Sequence, residues 1–488
     1  MQSEKSRLSL IYVLALSQFA GTFMYSGVGI TLPVIGQELQ ASGVQLGLIE
    51  IIYLGAASAF LLPVGQFADL TDRARIYKIG LVFYALTTLA LGIVSSVPVF
   101  IALRFIQGCA GALIMATNMA ILTDNVPSEK LGRAMGMNIG AVYLGLSAGP
   151  FIAGWITTQL GWRWVFYITF LPLMASFLLV QVILKSKWKR PTVQIDRLGT
   201  LTISTSVFLL IAGSAVLGKS VTGFFLLGAG MLVGGLFFVV EKRMSRPLID
   251  FKSIRENSTL SVALVVQLLM YAGAFGVSFL FSIYLQVIKG LTPQAAGKVL
   301  MISPVVMALL SPVCGRLADK FSPKMLTSLG LAFSLVSTLA AVRVDGDTGL
   351  VYLMGVLVFQ GLSFALFSSP NMTIIMNSVK PIQYGLASAL SANMRSLGMV
   401  VSLLVVTIFI SLFIGKHMIN SDPSEFLNVM SFSFVFFSIS ALIGTFLSIR
   451  NKSGLKSQKF RYQIRPSEEM SNCSYPVFLK NRPKFDQP

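Results

Sequence analysis

Gly65-Gln-Phe-Ala-Asp69-Leu-Thr-Asp72-Arg73-Ala-Arg75 is a charged interruption between two long apolar runs, and 250 residues later the chain repeats it as Gly315-Arg-Leu-Ala-Asp319-Lys-Phe-Ser-Pro-Lys324. A shift of 253 superposes Gln107-Gly108 on Gln360-Gly361, Asn118-Met119 on Asn371-Met372, and Gly132, Ala134 and Gly145 on Gly385, Ala387 and Gly398. Features in the same order at a nearly fixed spacing are two copies of one unit.

The residues around these markers are membrane-like. Of 488 residues 55% are hydrophobic and only 12% charged, with a mean hydropathy of +0.77, whereas soluble domains carry about 25% charged residues. A soluble enzyme is excluded. A bilayer-spanning helix needs about 20 mostly apolar residues. Such runs lie near 9–32, 44–66, 77–97, 99–123, 134–157, 162–184, 198–218, 222–241, 257–287, 294–314, 325–343, 349–376, 385–414 and 427–449. The expected fold is an all-α membrane protein of fourteen helices, two six-helix repeats with an inserted pair between them. The expected domains are 1–190, 191–246, 247–450 and a basic tail, 451–488.

The net charge of +19 sorts by loop. With the N-terminus inside, thirty of the 38 Lys and Arg fall on the inner side and six on the outer, namely Arg163, Lys219, Lys289, Lys298, Arg343 and Lys416. This is the positive-inside asymmetry, so the basicity reflects topology and predicts cytoplasmic N- and C-termini in a cell membrane, not a nucleic-acid partner. Lys5 and Arg7 before the first run read as the flank of an uncleaved first helix. Cys109, Cys314 and Cys473 are too few for a disulfide framework, and the single histidine, His417, is a loop residue. No metal ligands and no ATP-binding loop are present, so uphill work draws on an ion gradient with no cofactor.

Parallel repeats of this kind place a substrate cavity at their interface near the midplane, with rocking that alternates access. The Gly65–Arg75 loop and its copy resemble the signature loop of the major facilitator superfamily, although Asp72 and Ser322 stand where glycine is usual. The resemblance implies the major facilitator fold and a conformational latch made by Gly65, Asp69, Arg73, Gly315, Asp319 and Lys324. Physically, glycine permits close helix approach, and the acid can cap a helix or pair with an arginine. Arg104-Phe-Ile-Gln107-Gly108 is similar to the superfamily's R-x-x-Q-G segment. Gly145-Leu-Ser-Ala-Gly149-Pro150-Phe-Ile-Ala153-Gly154 resembles its antiporter motif, which implies export.

Leu160-Gly-Trp-Arg-Trp-Val-Phe166, Pro247-Leu-Ile-Asp-Phe251, Tyr284-Leu-Gln286 and Ser369-Pro370-Asn371, with fourteen spans, resemble the EmrB/QacA branch of proton-driven drug exporters. The implied partners are protons, a small amphipathic substrate and the bilayer, with a monomeric chain. That branch carries an aspartate in helix one where this chain has Met24. Glu50 is the one acid clearly inside a run, and it can either bind a proton or reach interfacial water. Arg104 can couple or line the cavity, or snorkel to the outer interface. Few acids favour neutral, zwitterionic or anionic amphipaths over dications. By analogy with the superfamily the cavity candidates are Gln18, Phe23, Asn118, Gln267, Tyr271, Phe275, Gln360 and Asn371, each equally able to serve as a helix-packing residue. A dedicated exporter or facilitator of one metabolite, or a sensor or scaffold without flux, remain the alternatives.

Overall fold

The structure is a computed structural model that describes residues 4–184, 196–218, 220–244, 248–249, 251–379, 384–415, 417–419 and 422–450. Side chains are described for all of these except 4–7, 128–133, 252–253, 318–319 and 384–386. The linker 185–195, residues 245–247 and the basic tail 451–488 lie outside the described residues.

Among the described residues fourteen helical spans are long and apolar enough to cross a membrane. Helices α1 (Glu4–Glu38), α2 (Gly43–Leu70), α3 (Arg73–Leu91), α4 (Val97–Asn125), α5 (Ser128–Gln159) and α6 (Arg163–Ile183) come first. The pair α7 (Arg197–Val216) and α8 (Thr222–Arg243) follows, and then a short connecting helix, α9 (Phe251–Glu256). The ninth span is α10 (Ser258–Ala274), α11 (Gly276–Ile283) and a π turn, Tyr284–Ile288. The tenth is α12 (Pro293–Leu300) with α13 (Ile302–Lys320), and α14 (Pro323–Val342), α15 (Leu350–Asn377), α16 (Tyr384–Phe413) and α17 (Pro423–Arg450) complete the chain. In lipid every backbone polar group must be satisfied within its own segment, which is why such runs are helical throughout.

The sequence reading drew the ninth and tenth spans as single helices, and the structure breaks each of them. At the first break the Gly276 N–H donates to Ser402 Oγ on α16 at 2.9 Å, so a neighbouring helix satisfies the amide that the bend frees. The first helix is also longer than the run 9–32, since it continues through Pro33 to Glu38. There the Glu38 carboxylate accepts from Trp162 Nε1 at 2.6 Å and pairs with Arg163, which clasps the ends of α1 and α6.

Ser42 begins α2 with a reciprocal capping box, its hydroxyl accepting from Gln45 N while the Gln45 side chain accepts from Ser42 N. Asp72 begins α3, accepting from Ala74 N and Arg75 N. The residue that replaces the usual loop glycine is thus a helix cap.

Helices α7 and α8 pack on each other through glycine. Leu227 lies against Gly213 and Leu210 against Gly230, and Ser206 Oγ donates to Gly230 O at 2.8 Å. On its other side α7 meets α2, where Val207 and Ile211 lie on Gly55, and α16, where Gly218 N donates to Ser411 Oγ at 2.8 Å. Outward, α8 presents Phe224, Phe225, Met231, Leu232, Leu236 and Phe238. A surface so apolar on a helix is suited to acyl chains.

Candidate functional site

At the end of the molecule that carries the α2–α3 turn, Arg73 Nε donates to Asp69 Oδ1 at 2.8 Å and its Nη1 to both oxygens of Asp124 at 2.7 and 2.8 Å. One guanidinium therefore joins α2, α3 and α4. Asp69 takes the arginine and leaves the cap to Asp72. The pairs are 32–58% exposed, and exposed ion pairs are worth about 0–1 kcal/mol, so they bias a conformation more than they stabilise a fold. Close approach does not explain Gly65 or Gly315 in this conformation. A Cβ at Gly65 would meet nothing nearer than Ala116 at 4.0 Å, and one at Gly315 nothing nearer than Ser369 at 3.6 Å. In the second copy Lys324 stands in the first turn of α14, while the side chain of Asp319 lies outside the described residues.

Deeper in the first six helices lies a fully enclosed ion pair. Arg104 Nη2 stands 2.9 Å from Glu50 Oε2, with side-chain exposures of 0% and 4%. Its Nε donates to Ile49 O at 3.2 Å and its Nη1 to Gln107 Oε1 at 2.7 Å, and Gln107 Nε2 passes the chain on to Thr88 Oγ1 at 2.8 Å. The Tyr53 ring lies 4.3 Å below the guanidinium carbon, a cation–π contact strengthened by the absence of water. Two expectations are corrected here. Arg104 does not snorkel, because its stem runs inward to α2, and Glu50 does not reach interfacial water, because Arg104 and Gly29 cover it. A Cβ at Gly29 would lie 3.3 Å from Glu50 Oε1, so this carboxylate faces α1 from α2, whereas Met24 of α1 is wholly buried in the apolar core.

The pair adjoins an aromatic stack that joins α1 and α2 to the ninth span. Tyr25 lies between Tyr53 and Phe275, with centroids 5.7 and 5.6 Å away and near-parallel planes. Tyr53 Oη is 3.3 Å from Tyr84 Oη, which in turn is 3.4 Å from Gly21 O. Tyr25, Tyr53, Tyr84 and Thr88 were not singled out from sequence. The available signal was spacing: Tyr53 follows Glu50, and Gln107 follows Arg104, by the three residues that put side chains on one helix face.

The Gly145–Gly154 segment of α5 is wedged between two helices. Gly145 meets Thr22, Phe19 O and Phe23 N of α1, and Gly149 meets Ser26 and Gly27. Ser26 Oγ donates to Gly145 O at 3.2 Å. On the opposite flank Gly154 touches Pro293 O, and Gly297 of α12 touches Pro150 O. A side chain at any of these positions would meet a backbone or a neighbouring hydroxyl.

The eight cavity candidates divide. Gln18 and Phe275 are half-buried, and Phe23 and Tyr271 are buried, the latter against Phe364. Asn118 donates to Leu14 O and accepts from Asn138, tying α4 to α1 and α5. Asn371 donates to Ala263 O and to Gln267 Oε1 at 2.7 Å, while Gln267 donates to Ser391 O. Gln360 is 3% exposed and both of its amide atoms lack a partner. Its repeat counterpart, Gln107, is held by Arg104, and the position matching Arg104 is Leu357. Besides Glu50 and the Asp72 cap, two acids not singled out from sequence are buried: Asp196, at the N-cap of α7, and Glu241, in the last turn of α8.

Hydrogen bonds between helices α1–α6 and helices α10–α17 gather at the end that carries the 39–42 turn. Ser282 Oγ donates to Gly29 O at 2.7 Å, Gln286 Nε2 to Ile30 O at 2.9 Å, Gln294 N to Thr158 Oγ1 at 3.1 Å, and Gly43 N to His417 O at 3.1 Å. Toward the other end Tyr143 Oη and Ser368 Oγ are 3.4 Å apart. The molecule is sealed at the 39–42 end.

The family model described as Major Facilitator Superfamily matches residues 14–403 and 263–463. The chain is 25% identical over 415 residues to the riboflavin transporter RibZ of Clostridioides difficile, covering 85% of this chain and 90% of that one. It is 24% identical over 384 residues to the multidrug resistance protein Stp of Mycobacterium tuberculosis, covering 78% and 71%. A bacterial homologue of the human lysosomal transporter Spinster, in an inward-facing and unoccupied conformation, shares the fold with a TM-score of 0.66 at 15% identity, covering 92% of this chain and 98% of that one.

Proposed function

The chain belongs to the major facilitator superfamily, a family of transporters, and from that premise we propose that it exports small amphipathic compounds across the cell membrane in exchange for protons. The enclosed Glu50–Arg104 pair carries this reading, because it is an ionisable contact between α2 and α4 that also faces α1 and the ring stack leading to Phe275. Removing one partner of a buried pair outright costs about 3–5 kcal/mol, an upper bound for neutralising Glu50, which keeps its acceptor oxygens. A proton gradient of ~180 mV supplies roughly 4 kcal/mol per charge, which is of that order and would by itself sustain about a thousandfold substrate gradient. A proton on Glu50 leaves Arg104 without its counter-charge and favours the alternative arrangement, in which the contacts of the 39–42 end part and the other end closes. The protein acts as a monomer, without a cofactor, and the distribution of Lys and Arg supports cytoplasmic termini.

Substrate would enter between the first and last six helices. Among the described residues nothing near that route supplies the pair of free carboxylates a dication needs, which supports neutral or anionic amphipaths. A second reading is a dedicated transporter of one flat aromatic metabolite. It is favoured by the near-parallel Tyr53–Tyr25–Phe275 stack, where a planar ring could replace Tyr25, and by the riboflavin transporter among the relatives.

The test uses purified protein in liposomes with an imposed pH gradient, an internal pH dye, and riboflavin together with cationic, neutral and anionic amphipaths. Proton flux evoked by several unrelated compounds, and abolished in Glu50→Gln, supports the drug–proton exchange. Flux with riboflavin alone selects the second reading. Tracer movement without proton flux overturns coupling, and no movement of any compound leaves a sensor or scaffold.

A further inference from the structure

Asp196 and Glu241 lie apart from the Glu50–Arg104 pair, at the ends of α7 and α8 that meet. Each carboxyl has one oxygen committed. Asp196 Oδ1 accepts from Gly199 N at 2.7 Å as the cap of α7, and Glu241 Oε2 accepts from Ile249 N at 3.0 Å. Each has the other oxygen, Asp196 Oδ2 and Glu241 Oε1, buried with no hydrogen-bond partner. Both residues are only 2% exposed. The two orphan oxygens converge, since a Cβ built on Gly199 would collide with both at once. Glycine at 199 leaves the space in which they face each other.

Two facing acceptors with no donor between them, sealed from water, are incompatible with two full negative charges. The other described ionisable groups on the packed elements do not relieve this. Arg197, Lys242 and Arg243 flank the pair along the chain but are exposed, as are Arg255 and Glu256 of α9. Asp69 of α2 is turned to Arg73. Among the described residues no Lys or Arg is ion-paired to either acid.

We propose that Asp196 and Glu241 hold one proton between Oδ2 and Oε1 as a carboxyl–carboxylate pair, a protonation site in the α7–α8 insertion separate from Glu50. The proton comes from solvent; one oxygen becomes the donor and the other keeps its lone pair as acceptor, so both orphans are satisfied. The site is wired to the rest of the molecule. Asp196 N donates to Gln66 Oε1 at 3.2 Å, within the latch segment of α2. Ile249, held by Glu241, packs with Leu248 and Phe237 into a cluster with Leu260, Leu264, Ile374 and Leu390 of α10, α15 and α16. Loss of the proton sets two carboxylates against each other and loosens the ends of α7 and α8 from both groups of helices. The insertion thereby reads pH at the end of the molecule that carries the latch.

Infrared spectra of the full-length protein in lipid nanodiscs, from mildly acidic to mildly alkaline pH, test this. The expected result is a protonated-carboxyl C=O stretch at neutral pH, shifted in heavy water, that persists in Glu50→Gln and is lost in Glu241→Gln and in Asp196→Asn. Thermal melting should fall as pH rises in wild type and stay flat in Glu241→Gln, whose amide supplies the missing donor permanently. If these variants do not fold, the band in Glu50→Gln decides alone. Its absence there overturns the proposal, as does a band equally present in all variants. A spectrum that responds to sodium or potassium chloride at fixed pH also overturns it, because the site would then hold a metal cation.

Discussion

Glu50 Oε2 and Arg104 Nη2 face each other across 2.9 Å with neither side chain open to solvent, so among the described residues each is the other's only full counter-charge. The consequence for mutation is asymmetric. Arg104→Ala strands a carboxylate beside Tyr53 and Gly29 and should destabilise the protein by about 3–5 kcal/mol. Glu50→Gln keeps an acceptor for the guanidinium and should cost less. The double variant Glu50→Gln/Arg104→Met should recover most of the loss in Arg104→Met, since no charge is left buried. Thermal melting in detergent of the single and double variants checks the cycle, and strict additivity would refute the coupling.

The two classes of motif glycine should respond differently. Gly149→Ala puts a methyl group into Ser26 and the backbone of Gly27, and overpacking of this kind costs about 1–3 kcal/mol. Gly65→Ala meets only Ala116 at 4.0 Å and should change stability by less than ~0.5 kcal/mol. Melting curves separate the two. If Gly65→Ala abolishes transport without changing stability, the glycine is needed in the opposite conformation, where the latch end closes.

How far the sequence carries depends on whether a signal is local. Fourteen spans were legible because each is a continuous apolar run, and Arg104 was conspicuous because a charge in such a run is costly. Its partner was not legible as a partner. Glu50 lies 54 positions away on another helix, and near a helix end the same residue is compatible with water. The bend at Phe275 was missed because glycines are common inside membrane helices, and only Ser402, far along the chain, takes up the freed amide. Glu241, the last residue of the run 222–241, was not singled out, because the burial that sets it against Asp196 arises only when α7 and α8 pack.

Closure at the 39–42 end should be reversible if access alternates. Thr158 Oγ1 and Gln294 N are 3.1 Å apart across that end. In a background with the native cysteines replaced, Thr158→Cys/Gln294→Cys should cross-link readily in the resting protein under oxidation. Cross-linked protein should lose transport, and a reducing agent should restore it. Full transport by fully cross-linked protein would show that this end does not open.

One loop at the sealed end has a defined acid response. The Thr348 hydroxyl, with the amides of Asp347 and Thr348 and the charge of Lys289, holds the Asp345 carboxyl below its usual range. Asp345 O accepts from Tyr284 Oη at 2.6 Å and Gly346 O from Lys289 Nζ at 2.7 Å, so the order of this loop also fixes the π turn beside Gln286. A depressed carboxyl contributes order that is fully present above the ordinary Asp range and is lost as pH falls through the lower native value. Amide exchange at 345–348, corrected for intrinsic rates, should therefore quicken as pH falls from the ordinary Asp range toward the lower native value and level off below it. Thr348→Val removes the largest contributor and should make that quickening smaller and end it at a higher pH. A quickening in the variant identical to wild type would show that the hydroxyl does not hold the carboxylate.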